Sequence, residues 1–185
     1  MSNTIKDTLT AIADAIRTKT GKTEKMKATD MPAEIASISA VTTGGKDKEI
    51  VERTITDYKN DEVETVGYGA FQFCNSLSSV NLPAAASIGS EAFTYCNYLS
   101  SVNLPAAASI GSYAFRSCGS LTSIDLPATT SIGSNAFQSC GKLASINLPA
   151  TTSIGSNAFY TCSKLASINL PAITSIDSNA FQTCI

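Results

Sequence analysis

The chain has 185 residues, a net charge of −2, and neither histidine nor tryptophan. The missing histidines exclude a His-based catalytic triad, an imidazole general base and a histidine-ligated metal site. A nearly neutral chain, in which 15% of the residues are charged, lacks the basic face that nucleic-acid binding requires.

The first segment, 1–38, is predicted to be a small α-helical leader. Its apolar residues recur at the intervals of an amphipathic helix, at Ile5, Leu9, Ile12 and Ile16. A second short helix is predicted to begin near Pro32. Residues 12–38, which include A-I-R-T-K-T-G-K-T and T-D-M-P-A-E-I, resemble the N-terminal leader of minor tail or structural proteins of phages of Gram-positive bacteria. No apolar stretch opens the chain, so neither a Sec signal peptide nor membrane insertion is predicted.

Residues 39–48 are predicted to be a linker, and residues 49–65 a β-hairpin that acts as an N-terminal cap. The hairpin strands are expected at 50–56 and 62–66, with a turn at 58–61 between them. A charged hairpin at this place would cover the open apolar end of a repeat array and protect its sheet edge.

Residues 66–185 are built from a 22-residue unit, present as five full copies and a partial sixth. The unit reads S-I-G-S-x-A-F-x-x-C-x-x-L-x-S-I-N-L-P-A-x-x. One unit alone cannot bury its apolar side chains, so such chains stack into a repeat solenoid. Few charged residues lie in this segment, and their net charge is zero: Glu91, Arg116, Asp125, Lys142, Lys164 and Asp177.

Each coil of the solenoid is predicted to contain a parallel strand, a short second strand and a single helical turn. In the second copy the first strand points Val102 and Leu104 inward, and Pro105 ends it because proline has no N–H. The second strand points Ile110 inward, and Gly111 permits the turn that follows. The segment S-x-A-F-x-x-C then forms the helical turn. Equivalent strands of neighbouring coils are expected to pair in parallel, about 4.8 Å apart.

The cysteines occupy a single inward position of the unit, at Cys74, Cys96, Cys118, Cys140, Cys162 and Cys184. Zinc sites need closely paired ligands and redox sites need C-x-x-C, and neither pattern occurs. Stacking brings equivalent Cα atoms within bridging range, but parallel Cα–Cβ vectors oppose the dihedral of a disulfide. A buried ladder of free thiols is favoured over disulfides and over cysteine chemistry. No catalytic residue, metal site or cofactor is predicted.

The spacing of L-x-S-I-x-L-P and S-I-G-x-x-A-F-x-x-C resembles the leucine-rich repeat of the BspA-like, or Treponema-type, family. The resemblance covers residues 66–185. One departure is Asp177, where the other copies have glycine, and the turn there is expected to be altered. The resemblance implies a relationship to bacterial surface adhesins and to proteins of phage and prophage origin. An enzyme needs convergent polar groups in a pocket, and the repeat region offers few charged residues and no histidine, so no enzymatic activity is predicted.

Sequence variation among the copies gathers on the helical turn and on the loop after it. The large exposed candidates for partner binding there are Tyr95, Tyr98, Tyr113, Arg116 and Tyr160. Tyrosine and arginine are residue types that anchor interfaces. Two alternatives stay open: the variation is neutral drift, or the partner binds the uniform Ser/Asn concave sheet, which offers hydroxyl and amide groups to glycans.

These features predict a phage or prophage tail-associated leucine-rich repeat module that contacts a protein or glycan receptor on a host surface. A bacterial cell-surface adhesin is the alternative. The corresponding locations are the virion and the extracellular or cell surface. Copies are also expected to associate through the leader or through the uncapped C-terminal coil, where Ile176, Phe181 and Ile185 would face a missing coil.

Overall fold

The computed structural model describes residues 53–184. The predicted leader and linker, and the first residues of the predicted hairpin, lie outside the described residues. Within 53–184 the strands are of two kinds. The long strands are β1 (Asp57–Lys59), β3 (Ser79–Asn81), β5 (Ser101–Asn103), β7 (Ser123–Asp125), β9 (Ser145–Asn147) and β11 (Ser167–Asn169). The short strands are β2 (Thr65–Val66), β4 (Ser87–Ile88), β6 (Ser109–Ile110), β8 (Ser131–Ile132), β10 (Ser153–Ile154) and β12 (Ser175–Ile176).

The coils stack through parallel strands, as the repeat predicts. The short strands form one sheet in the order β2-β4-β6-β8-β10-β12, and each residue pairs with its counterpart one repeat away, such as Ile110 with Ile132. The long strands form the long-strand face, which corresponds to the predicted concave sheet. This face is divided into β1-β3-β5 and β7-β9-β11, with no ladder between β5 and β7.

The core is a set of side-chain ladders that run along the solenoid. The rings of Phe71, Phe93, Phe115, Phe137 and Phe159 are fully buried and stack with centroids 5.0–5.3 Å apart. Leu104 and Ile110 are buried as predicted, whereas Val102 is only half-buried. Each fully buried large apolar side chain contributes roughly 1.5–3 kcal/mol, and only neighbouring coils provide that burial.

The predicted N-terminal hairpin is wrong in its described part. The segment expected to be its turn contains strand β1, which pairs in parallel with β3. The expected return strand contains β2, which pairs in parallel with β4. The two strands therefore belong to a further coil rather than to a hairpin, and that coil covers the next one through its own parallel ladders.

This first described coil keeps the 22-residue spacing but not the consensus residues. Tyr58 is aligned with Val80, and Val66 is aligned with Ile88. Tyr58 is buried and its ring meets that of Phe71 with centroids 5.0 Å apart. Because a tyrosine and charged neighbours replace the usual S-V-N, the pattern resembles a charged turn in sequence while the buried position remains large and apolar.

The predicted helical turn is also wrong, because no residue in 53–184 is helical, and no helix there could span a membrane. Instead the backbone N–H groups alternate in direction. Thr94 N–H donates to the Glu91 carbonyl within the coil at 3.1 Å, and Tyr95 N–H donates to the Arg116 carbonyl of the next coil at 2.9 Å. This alternation places Glu91 and Tyr95 in the left-handed region, with φ of 58° and 61°. A helix would close these bonds inside one coil, whereas the alternating turns add a third intercoil ladder.

The glycine that follows each of the short strands β4, β6, β8 and β10 allows neighbouring coils to pack closely and does not form a left-handed turn. Gly111 has no left-handed φ, but a Cβ built on it would lie 2.5 Å from the Ser90 backbone nitrogen of the preceding coil. Asp177 takes this position in the last described coil. Its N–H donates to the Ile154 carbonyl at 2.9 Å, as Gly155 N–H does to the Ile132 carbonyl at 2.8 Å. The backbone hydrogen bond at Asp177 is therefore the same as at the glycines, and the prediction of an altered turn is wrong in this respect.

Candidate functional site

All of the predicted partner-binding residues lie on the turn edge, the row of turns at 67–76, 89–98, 111–120, 133–142, 155–164 and 177–184. Because the repeat is 22 residues long, each position of the turn forms its own row along the edge. Tyr113 lies in the row before alanine, and Arg116 and Tyr160 lie in the row after phenylalanine. Tyr95 lies one row further, and Tyr98 lies in the loop that ends the turn.

Three of these residues are in direct contact. The Arg116 guanidinium carbon lies 5.5 Å from the Tyr95 ring centroid and 5.5 Å from the Tyr113 ring centroid. A guanidinium over an aromatic face stabilises the arrangement by about 0.5–1 kcal/mol at an exposed site. Arg116 therefore contacts two tyrosines on one surface, although they are eighteen positions apart in the sequence.

The line of contacting side chains continues toward the N-terminus through two residues that the sequence did not indicate as partner-binding. The Tyr95 ring stacks on the Phe73 ring with centroids 5.2 Å apart and planes 5° apart. The Arg53 guanidinium lies 5.6 Å from the Phe73 centroid, and Arg53 Nε donates to the Gln72 carbonyl at 2.9 Å. We call this set the aromatic column: Arg53, Phe73, Tyr95, Arg116 and Tyr113.

The sequence contained a signal for Phe73 but not for Arg53. Phe73 and Tyr95 are aromatic residues one repeat apart at an outward position. Phe73 is 41% exposed, whereas Phe71, two residues earlier, is buried, as are its equivalents in the next four coils. Arg53 was assigned to a hairpin strand, so its place beside the first turn could not be inferred.

Tyr98 and Tyr160 stay outside the column. Tyr98 is 67% exposed in the loop after Cys96 and has both ring faces free of other rings among residues 53–184. Tyr160 lies two coils beyond Arg116 in the same row, with Gln138 between them. Neither residue shares a contact with the aromatic column, so the structure divides the predicted set into a cluster of three and two separate tyrosines.

A polar cluster lies beside the column on the first two coils. The Tyr68 hydroxyl donates to Glu91 Oε1 at 3.0 Å, and Gln72 Nε2 donates to Glu91 Oε2. The hydrogen bond and the charge of Glu91 raise the pKa of Tyr68. Glu91 precedes Tyr113 in the row before alanine, so this cluster adjoins the column. Tyr68 is a further exposed aromatic residue that the sequence reasoning missed.

The column consists of aromatic and guanidinium groups that contact one another. Its ring faces are occupied by the neighbouring ring or guanidinium, so ring edges, phenol hydroxyls and guanidinium N–H groups remain for a partner. The Nε of Arg116 is buried without a hydrogen bond. Among residues 53–184 no group of three metal-ligating side chains is found.

The six cysteines form no disulfide and all but Cys184 are buried, which supports the predicted ladder of buried thiols over disulfides. Five of the thiols donate to the phenylalanine carbonyl of the preceding coil, as Cys118 Sγ does to Phe93 at 3.2 Å: those of Cys96, Cys118, Cys140, Cys162 and Cys184. Burial raises the pKa of Cys74 to about 11 and that of Cys162 to about 12. At neutral pH these thiols are protonated, and a protonated thiol is a poor nucleophile.

The repeat matches the family model described as a BspA type leucine rich repeat region, in six copies over residues 59–185. The chain belongs to the BspA-type leucine-rich repeat family. The matched region begins inside β1, so it includes most of the divergent first coil. The matched family is a repeat family and not a catalytic one. A search of curated proteins finds no significant match.

Solved structures of other leucine-rich repeat proteins resemble this chain. A leucine rich cell surface protein of Faecalibacterium prausnitzii A2-165 is 31% identical, with a TM-score of 0.59, over 63% of this chain and 32% of that one. A leucine-rich repeat protein of Bacteroides ovatus is 35% identical, with a TM-score of 0.61, over 66% of this chain and 33% of that one. The Treponema pallidum leucine rich repeat protein is 32% identical, with a TM-score of 0.61, over 70% of this chain and 59% of that one. This chain therefore spans about a third of the first two relatives.

These relatives favour the surface-protein alternative over the phage-tail prediction. One of them is titled a cell surface protein. The family match covers residues 59–185, and the phage resemblance rests on the leader, which lies outside both that region and the described residues. The tail role and the virion location receive no support from the comparisons.

Proposed function

We propose that this BspA-type repeat chain is a non-enzymatic binding module of a bacterial cell-surface protein, and that the aromatic column is its contact with a protein or glycan receptor. The observation that carries the proposal is the backbone conformation of the column. Phe73, Tyr95 and Tyr113 all have left-handed φ values, of 61°, 61° and 60°.

Bulky residues are unfavourable at these positions. A left-handed conformation costs a non-glycine residue about 1–2 kcal/mol, and asparagine tolerates it best. The later coils carry Asn135, Asn157 and Asn179 in the row where Tyr113 lies. Tyr113 therefore takes a strained position that asparagine fills in the later coils, whereas the row of Phe73 and Tyr95 continues with left-handed serine and threonine. A bulky residue kept under strain where a better-suited one occurs is typical of functional sites.

The column is also organised before a partner arrives. Stacking and cation–π contacts hold the side chains of Phe73, Tyr95 and Arg116 in place. Ordering a free side chain on binding costs about 0.5–1.5 kcal/mol, and an ordered column avoids much of that cost. Tyrosine and arginine at the centre of such a patch are the residue types that dominate binding energies.

The test replaces column residues with those that the same rows carry in other coils. The triple variant Phe73→Ser, Tyr95→Ser and Tyr113→Asn removes the three rings of the column and suits the turn, because Ser117 and Asn135 hold the same positions. Binding of labelled full chain to bacterial cells, epithelial cells and a glycan array is measured before and after the change. We expect at least about a tenfold loss of affinity, which is about 1.4 kcal/mol.

The matched control is Tyr160→Gln, which removes a half-buried tyrosine outside the column and introduces the residue found at 138 and 182. This variant is expected to bind as the parent chain does. Unchanged binding in the triple variant, or equal losses in both variants, would remove the column from the proposal.

A second candidate, a phage-tail module, is supported only by the resemblance of residues 12–38 to phage tail leaders. Electron microscopy with antibodies raised against the full chain separates the two. Label on the cell envelope supports the surface module, and label on tail particles supports the phage role.

A further inference from the structure

The long-strand face is open at one place, between β5 and β7. In the coils on either side, Leu82 N–H donates to the Asn103 carbonyl at 3.0 Å and Leu126 N–H donates to the Asn147 carbonyl at 3.1 Å. The equivalent bond, from Leu104 to Asp125, is not formed, although both residues lie within 53–184. Backbone donors and acceptors are therefore unpaired here on a face where all the other long strands are paired.

The opening is local. On one side of it the Phe93 and Phe115 rings remain stacked at 5.1 Å, and on the other β6 and β8 remain paired. Val102 lies at the opening and is half-buried, whereas Val80 and Ile124, its counterparts in the neighbouring coils, are 1% and 4% exposed. The gap thus gives solvent access to apolar surface between two coils that are held together at their flanks.

The row of amides on this face is interrupted at the same place. Asn103 Nδ2 donates to Asn81 Oδ1 at 2.6 Å, and Asn169 Nδ2 donates to Asn147 Oδ1 at 2.8 Å, so each amide donates toward the N-terminus. Asp125 accepts from Asn147 Nδ2 at 2.8 Å but has no N–H of its own to offer. Asn103 Oδ1 therefore has no donor in the next coil, where a carboxylate takes the place of the amide.

We propose that the gap between β5 and β7 binds one sugar unit of a neutral glycan. The Asp125 carboxylate and Asn103 Oδ1 accept hydrogen bonds from neighbouring hydroxyls of the sugar, and Leu104 N–H donates to a sugar oxygen. This site lies on a different face from the aromatic column and does not depend on it.

The chemistry of the gap favours hydroxyl donors over a metal ion. Calcium takes six to eight oxygen ligands, and the gap offers a single carboxylate and one amide oxygen. Asp125 is the only charged residue in the outward rows of the long strands from β3 to β11, so a highly charged ligand has no complementary cluster. Serine hydroxyls at 101 and 123 flank the gap and add groups that exchange hydrogen bonds with a polyol.

The test is Asp125→Asn in the full chain. The new amide donates to Asn103 Oδ1, completes the row and closes the gap. The matched control is Asn169→Asp, which places a carboxylate two coils further on, where the backbone ladder is intact and Asp125 keeps its hydrogen bond from Asn147. Calorimetry and NMR titrations use tetrasaccharides of glucose, N-acetylglucosamine and mannose, and the amide exchange rate of Leu104 is followed in parallel.

We expect the parent chain and the Asn169→Asp variant to bind at least one of these tetrasaccharides, and Asp125→Asn to bind about tenfold more weakly or not at all. Leu104 exchange is expected to slow on saturation with the sugar and in Asp125→Asn. Absence of tetrasaccharide binding, equal binding by Asp125→Asn, or saturation by millimolar Ca²⁺ without any sugar binding would each overturn the proposal. Loss of cell binding in the column variants leaves this result unaffected, because the two sites share no residue.

Discussion

From Cys96 onward, the repeated cysteine is a hydrogen-bond donor as well as an apolar side chain. Cys118 and Cys140 donate to the carbonyls of Phe93 and Phe115 in the preceding coils, at 3.2 and 3.1 Å. The sequence predicted their burial, because one inward position was copied along the chain. It did not predict the bond, because that depends on where the alternating turn directs the phenylalanine carbonyl.

The thiol ladder makes stability sensitive to alkaline pH. The pKa of Cys74 is raised from 9.0 to about 11 by burial, and that of Cys118 is raised well above 9.0. Above pH 9 the unfolded chain loses thiol protons that the folded chain keeps. The contribution is therefore complete below pH 9 and is lost as the pH rises through the folded values.

We expect the urea midpoint of the full chain to fall between about pH 8 and about pH 10.5, by an amount that is smaller in Cys118→Ala. The alanine variant is also less stable at the lower pH, by about 1–2 kcal/mol, because it leaves a small cavity and removes a donor. Identical falls in the two proteins would show that other groups, such as lysines and tyrosines, cause the alkaline loss.

At the scale of the elements, the strands were predictable and the turns were not. Alternation of apolar and polar residues identifies L-x-S-I-N-L as extended in every copy, and the period then dictates parallel pairing. A-F-x-x-C has the spacing of a helical turn, and residues such as Glu91 and Tyr95 disfavour the left-handed backbone they adopt. The three intercoil ladders together override that local preference.

The first described coil was missed for a related reason. Tyr58 and Lys59 differ from the consensus V-N, so the local pattern indicates a turn, although the strand is one repeat before β3. The gap between β5 and β7 could not be predicted either. Between the Val102 and Ile124 segments, valine gives way to isoleucine and asparagine to Asp125, and neither exchange by itself predicts a break in strand pairing.

The spacing of the coils depends on glycine at one position of the unit. A Cβ on Gly133 would lie 2.6 Å from the Ser112 backbone nitrogen, whereas a Cβ on Gly141 would meet nothing within 4 Å. We expect Gly133→Ala to lower the free energy of unfolding by about 2 kcal/mol, because backbone atoms cannot move aside. Gly141→Ala is the control, with a change within about 0.5 kcal/mol.

Urea unfolding of the two alanine variants checks this expectation, and equal changes in both would contradict it. Asp177 occupies the same position as Gly133 in the last described coil. That coil has a neighbour on one side only within residues 53–184, so it can shift to accommodate a Cβ. Gly133 lies between two coils and has no such freedom.

At the scale of the whole molecule, the solenoid separates a uniform core from a variable edge. The core positions repeat almost unchanged from coil to coil, and the bulky outward residues of the first coils give way to Asn, Ser and Thr in the later ones. The aromatic column thus occupies the N-terminal half of the turn edge. Family membership explains the repeated core, and we propose that binding of a partner explains the aromatic column.

The most direct test of partner binding by the aromatic column compares the stability and the binding of the single variant Tyr113→Asn with those of the parent chain. Asparagine suits the left-handed position, so we predict that the free energy of unfolding stays level or rises by about 1 kcal/mol. The loss of the ring beside Arg116 is predicted to weaken binding to the cell or glycan surface that the parent chain recognises. A variant that is less stable but binds as the parent does would contradict the account, because Tyr113 would then serve the fold and not the partner.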